Sequence, residues 1–299
     1  MRPDPTWFDR RALIGAGAAA VLTGTGALAS PRDVAEARFR AIEKRIGGRL
    51  GLAALDTGSN RWLAHRSEER FAMDSTFKWL ASAAVLARVD RGVERLDRRI
   101  AYGKADLVGV APITTARLAE GAMPLGDLCE AAITRSDNGA ANLILTSLGG
   151  PAGLTHWLRT EGDSITRLDR NEPTLNAAVP GDPRDTTTPS ASIADLRQIL
   201  LGKVLSDRSR LLLTRWMIAT KTGDKRLRAG LPKGWRVGDK TGTGPHATCN
   251  DVAIAWPPGR SPVLIAAYLT GGSATDDARE AALAEVARVV VQGLGLTHG

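Results

Sequence analysis

The sequence predicts an α/β fold, in which an antiparallel sheet built from both chain ends is flanked by helices and an all-helical domain is inserted between them. Three observations predict it. Strand-like runs occur near the two ends, over residues 49–65 and 235–270; the long middle carries helical spacing; and amphipathic stretches open and close the chain behind its first segment. At 299 residues the chain can bury a large core and divide in two. The expected division is an α/β domain from residues 30–68 and 218–299, and a helical domain over 69–217, with an active cleft between them.

The elements follow in order. Val34, Phe39, Ile42 and Ile46 recur at helical spacing, and Gly47-Gly48 supplies a stop. Arg49 to Asp56 and Arg61 to His65 read as strands joined by the turn Thr57-Gly58-Ser59-Asn60. An Ala- and Leu-rich helix is expected from Ser75 to Gly92, followed by helices at 114–120, 124–135, 139–148 and 153–161. Residues 163–188 break this regularity with Pro173, Pro180 and Pro183, forming a long loop of the kind that usually serves a function. Helices near 192–201 and 207–217 precede strands at 235–243, 250–256 and 262–270, the last two joined by Pro257-Pro258-Gly259-Arg260. A final helix runs from about Thr275 to Gln292, with Thr275 as its cap and Asp276 and Asp277 in its first turn.

The formal charge of +8 is spread among acids without a dense basic run or interleaved aromatics, which argues against nucleic acid as a partner. Ahead of residue 30, Asp9-Arg10-Arg11 precedes an uncharged stretch that ends in Ala27-Leu28-Ala29. Charged start, apolar middle and small residues are the parts of an export signal, here residues 1–29, and the Arg pair suggests the twin-arginine route. A membrane anchor is the competing reading, but the Gly, Thr and Ala content makes the stretch only mildly apolar. A periplasmic or secreted, monomeric protein is therefore expected. Neither Cys129 nor Cys249 establishes a disulfide, and His65, His156, His246 and His298 show no metal-ligand spacing, so no metal and no cofactor are expected.

Four segments carry chemistry. Ser75 and Lys78 stand three residues apart at the start of a helix, where the amine can reach the hydroxyl; a capped helix with a solvated lysine is the plain alternative. Ser136-Asp137-Asn138 joins two helices and offers a hydroxyl and a carboxamide around an inward-turned Asp137, or simply a capping turn. In the long loop, Glu172 and Asn176 can fix a water between them, as ester hydrolysis requires, while Arg170 can form a salt bridge. Lys240-Thr241-Gly242-Thr243 lies on a late strand, where Gly242 allows close approach, the Thr243 N–H can serve an oxyanion, and Lys240 with the Thr hydroxyls can receive a carboxylate; an exposed edge lysine is the alternative.

In chain order these segments resemble the class A serine β-lactamases, with their Ser-x-x-Lys, Ser-Asp-Asn and Lys-Thr-Gly motifs and a catalytic Glu. The resemblance spans essentially the whole chain after residue 29. It implies a secreted hydrolase that opens the β-lactam ring of antibiotics through an acyl-enzyme on Ser75, with the N–H groups of Ser75 and Thr243 as the oxyanion hole. It further implies that Glu172 with Asn176 activates the deacylating water, and that Lys78, or Glu172 through that water, takes the Ser75 proton. Ser136 would relay a proton to the lactam nitrogen, Asn138 would hold the side-chain amide, and Lys240, Thr241, Gly242 and Thr243, assisted by Arg226, would bind the carboxylate end.

The chain departs from the family at three places. Asp74 precedes the nucleophile where an uncharged residue is usual, Val110 stands where an aromatic commonly lines the cleft mouth, and Ser82 holds the position of the usual partner of Cys129, which implies that the family disulfide is absent. Two other readings share part of the pattern. A cell-wall peptidase of the penicillin-binding kind lacks the need for the Glu172–Asn176 water, and a β-lactam sensor that stops at the acyl stage needs a membrane-spanning signalling partner.

Overall fold

A computed structural model describes residues 30–296; the expected export signal lies outside that span. Helix α1 (Pro31–Ile46) starts at a Ser30 capping box closed by Asp33 and ends on Gly47 at φ 70°, the left-handed backbone that glycine takes without penalty. Its buried stripe is Ala35, Phe39, Ile42 and Ile46. Val34, expected in that stripe, is 48% exposed, because the 4-3-4 spacing of the stripe leaves it about a quarter turn off the face. Strands β1 (Arg49–Asp56) and β2 (Arg61–His65) form the hairpin, and β3 (Arg236–Gly244), β4 (Thr248–Trp256) and β5 (Val263–Thr270) return from the other end of the chain. The sheet order is β2-β1-β5-β4-β3, antiparallel throughout, so β3 is an edge strand.

The sheet is covered on both faces, which is why its central strands read as continuous apolar runs. Ile265, Ala267 and Leu269 of β5 pack with α1 and the last helix, α8 (Asp276–Gly293), whereas Leu264, Ala266 and Tyr268 join the core of the helical part. That second core is centred on α2 (Phe77–Asp90), which is buried over nearly its whole length, surrounded by α3 (Leu125–Thr134), α4 (Asn138–Leu148), α5 (Gly150–Thr160), α6 (Pro189–Leu201) and α7 (Asp207–Ile218). Ser75 does not open α2 itself: it sits in a 3-10 turn, Asp74–Thr76, at the helix entrance, and no side chain caps either element. The edge strand β3 runs against that turn, so the nucleophile candidate and the Lys240 segment meet at the seam between sheet and helices. Among the described residues no helix is long and apolar enough to cross a membrane.

Candidate active site

Each of the four sequence segments reaches the same cleft, a cavity of about 420 Å³ lined by Ser75, Ser136, Asn138, Asn176, Thr241 and Thr243, with Val110, Arg135, Thr222 and Arg226 on its walls. Lys78, the second residue of α2, is fully buried, and its Nζ donates to Ser136 O at 2.8 Å and Asn138 Oδ1 at 2.6 Å, with Ser136 Oγ at 3.4 Å. Glu172 Oε1 lies 3.0 Å from the same nitrogen. The ammonium donates to Ser136 and Asn138 and forms a charge contact with Glu172, and none of the described hydrogen bonds runs to the Ser75 hydroxyl. Burial pushes the Lys78 ammonium below the ordinary lysine range, and the Glu172 carboxylate opposes that shift.

The Ser-Asp-Asn turn does both things open to it. Asp137 is the N-cap of α4 and accepts from the backbone N–H of Ile113, Thr114 and Ala140 at 2.8–2.9 Å and from the Thr114 hydroxyl, so its carboxylate is consumed in holding the turn. That fixation leaves Ser136, at φ 55°, and Asn138 aimed at the lysines. On the other side, Lys240 is as buried as Lys78, not an exposed edge residue; its Nζ donates to Ser136 Oγ at 3.1 Å and Thr241 O at 2.8 Å. Burial and the nearby Lys78 charge push it well below the usual lysine value.

The long loop carries Glu172 inward across a cis Glu172–Pro173 bond. Asn176 Nδ2 donates to Glu172 Oε2, and the loop's neck is closed by Arg170 Nε on Asp185 Oδ2, so the functional and structural readings of this segment coexist. Asp185 also accepts from the N–H of Asp169 and Arg170 at 2.7 and 3.0 Å. A residue the sequence reading missed fixes the other side of the glutamate: Asn142 accepts from Glu172 N and donates to Glu172 O, both at 2.9 Å. Its position four residues after Asn138 on α4 was the available signal, since that spacing puts both carboxamides on one helix face.

Arg226 differs most from expectation. It lines the cleft but is 6% exposed, and its guanidinium donates to Gly242 O and Asn250 O at 2.8 Å and Thr243 Oγ1 at 2.6 Å, with Glu280 beside Nε at 3.3 Å. Most of its donors therefore brace β3 and β4, and it touches the cleft through Thr243. Thr222, also absent from the sequence reading, shares a 2.6 Å hydrogen bond with the Thr241 hydroxyl. The glycines of the segment make room for the turn that carries Ser75: a Cβ on Gly242 would come within 2.5 Å of Met73 O. Cys129 and Cys249 are buried free thiols, pushed up to about 12 and about 11 by desolvation, and Ser82 lies beside Cys129.

A family model described as the β-lactamase enzyme family matches residues 34–294. The chain is 47% identical to β-lactamase AST-1 of Nocardia asteroides over 96% of both proteins. It is 45% identical to the carbapenem-hydrolyzing β-lactamase KPC of Klebsiella oxytoca, over 92% of this chain and 94% of that one. Among solved structures, an ancestral class A β-lactamase superposes with a TM-score of 0.84 at 60% identity, covering 86% of this chain and 98% of the other. With match, fold and cleft in agreement, the chain belongs to the β-lactamase enzyme family, and within it to the class A serine β-lactamases.

Proposed function

We propose that this β-lactamase works through an acyl-enzyme on Ser75 and a deacylating water governed by Glu172. The observation that carries the proposal is the convergence on one buried ammonium, Lys78, of Ser136, Asn138 and Glu172, with Glu172 clamped by Asn176 and Asn142 beside the cleft that Ser75 lines. In acylation the Ser75 Oγ–C bond forms as the lactam C–N bond breaks. Lys78, or Glu172 through the water, accepts the Ser75 proton, and Ser136 delivers one to the departing nitrogen. The N–H groups of Ser75 and Thr243 receive the carbonyl oxygen, preorganised donors being worth most where charge develops. In deacylation the water attacks the ester carbonyl, Glu172 takes its proton, and Ser75 leaves with a proton restored.

Substrate placement follows the same geometry. Lys240, Thr241 and Thr243 receive the carboxylate, Gly242 lets the backbone approach, Arg226 supports Thr243, and Asn138 and Asn176 lie along the cleft for the acyl side chain. The export-signal composition of residues 1–29 supports action outside the cytoplasm. Steady nitrocefin turnover is expected of the purified protein, and stoichiometric acylation without turnover would overturn the hydrolase assignment in favour of a penicillin-binding or sensor function. The Glu172→Ala variant should lose about 10³-fold in turnover while still acylating, so that mass spectrometry with benzylpenicillin shows a persistent adduct on Ser75. A variant that keeps normal turnover removes Glu172 from its role.

A further inference from the structure

Asp74 lies directly behind the nucleophile and takes no part in the steps above. It is fully buried, it does not line the cleft, and its φ of 44° is the left-handed backbone that Asp and Asn tolerate better than other side chains. Its carboxyl fills the space beneath β3 that a glycine leaves open: a Cβ on Gly244 would lie 2.4 Å from Asp74 Oδ1. From β4, the Asn250 amide donates to Asp74 Oδ2 at 3.0 Å and to the carbonyls of Ala72 and Met73 at 2.9 and 3.3 Å. One carboxamide thus ties three consecutive residues leading into Ser75. Asn250 is also the register partner of Gly242, next to Thr243, so the nucleophile turn and the strand offering the second oxyanion donor are joined at this point.

The same surroundings decide the protonation state. Asp74 Oδ1 has no hydrogen-bond partner, and the neighbouring Thr248 hydroxyl donates to Pro245 O at 3.1 Å. Among the described residues no cation pairs with the carboxyl. The charged groups facing it are Glu172 from the long loop, Lys78 from α2 and Arg226 from the segment before β3, and both cations are engaged elsewhere. A buried carboxylate with one firm donor is poorly solvated, so the neutral acid is favoured; burial, with Glu172 adding to it, pushes the group up to about 7 against the pull of Arg226 and Asn250.

We propose that Asp74 is a positioning residue for acylation: as a neutral acid it holds the Ser75 turn against the strand bearing Thr243, and its ionisation slows attack by Ser75. A negative charge behind the oxyanion hole opposes the charge that develops on the lactam oxygen. The inference rests on Ser75 as nucleophile and Thr243 as oxyanion donor, as proposed above.

The test is the rate of Ser75 acylation by benzylpenicillin, followed by rapid-quench mass spectrometry in the wild type and in Asp74→Asn, which keeps the shape and an acceptor for Asn250 but cannot ionise. The ratio of variant to wild-type rates should rise about tenfold from about pH 6 to about pH 8. Asp74→Ser, also unable to ionise, should show the same rise from a lower starting rate, and covers the case in which the Asn variant does not fold. A ratio that stays constant with pH in the folded variants leaves Asp74 a purely structural residue and overturns the inference, with the Ser75 adduct still intact. Absence of any adduct on Ser75 in the wild type overturns the nucleophile assignment, and the inference with it.

Discussion

Lys78 and Lys240 are buried to the same extent and both donate to the Ser136 hydroxyl oxygen, yet their surroundings differ in kind. Lys78 has a carboxylate at 3.0 Å and acceptors from two further residues; Lys240 has one carbonyl and one hydroxyl, and the charge that perturbs it most is Lys78. Desolvation acts on both, but only Lys78 has a carboxylate in contact; around Lys240 the acids Asp239 and Asp251 act from farther off, and the like charge of Lys78 outweighs either of them. The difference gives the cleft one side with its ion pair made and one side without, which agrees with the proposed division between proton transfer and carboxylate binding.

Replacing each lysine by Met, which keeps the stem volume, sets the two sides against each other. Lys78→Met strands the Glu172 carboxylate and should lower kcat/KM by about 10³-fold or more and reduce Tm. Lys240→Met removes a buried cation that has no carboxylate in contact, so it should raise KM by about 10–100-fold with a smaller change in kcat, and raise Tm. Nitrocefin kinetics and thermal melts read both effects. If the two variants shift Tm in the same direction, the contrast between the ion-paired and unpaired lysines is wrong.

A smaller change separates placing Glu172 from charging it. Asn142 grips only the backbone of Glu172, so Asn142→Ala leaves the charge pair with Lys78 in being while loosening its position. A fall in kcat of about 10²-fold, mostly in deacylation, is expected, because small misplacements of a catalytic group are costly. Accumulation of the Ser75 adduct under turnover would mark the slowed step. Unchanged kcat would mean that Asn176 and Lys78 suffice to position the carboxylate.

Much of this organisation was legible in the sequence, for reasons that also explain what was not. The strands, the caps at Asp137 and Thr275, and the loop punctuated by prolines are local signals, and the observed boundaries fall within a few residues of the expected ones. The start of α2 was misplaced because Ser75 resembles a cap residue, whereas the chain makes a 3-10 turn there to pass beneath β3. Motif spacing singled out Lys78, Ser136, Glu172 and Lys240, which the fold brings into contact, but could not reveal that the Arg226 guanidinium turns mainly to strand carbonyls. Asp74 stood out by its charge alone. Its partner Asn250 lies 176 residues away, and no local pattern announces a pairing made by folding the chain ends into one sheet.

Asp74 also supplies the mildest test of the comparison, since it is a buried ionisable group without a counterion that escapes its desolvation by keeping its proton. Its folded-state value of about 7 lies above the ordinary 3.8, so between those limits the folded protein binds more protons than the unfolded chain. Stability therefore falls as pH rises through that window, and levels off above about pH 7. At ~1.4 kcal/mol per pH unit per proton, this one group can remove at most about 2.7 kcal/mol between roughly pH 5 and pH 7. Asp74→Asn cannot titrate and should lack that component. Urea unfolding of both proteins across the interval should show the stability difference moving in favour of the Asn variant as pH rises. Parallel curves would mean that Asp74 is already ionised in the folded protein at pH 5, its charge matched by Arg226 and Asn250, and the absence of a counterion would then not set its protonation state.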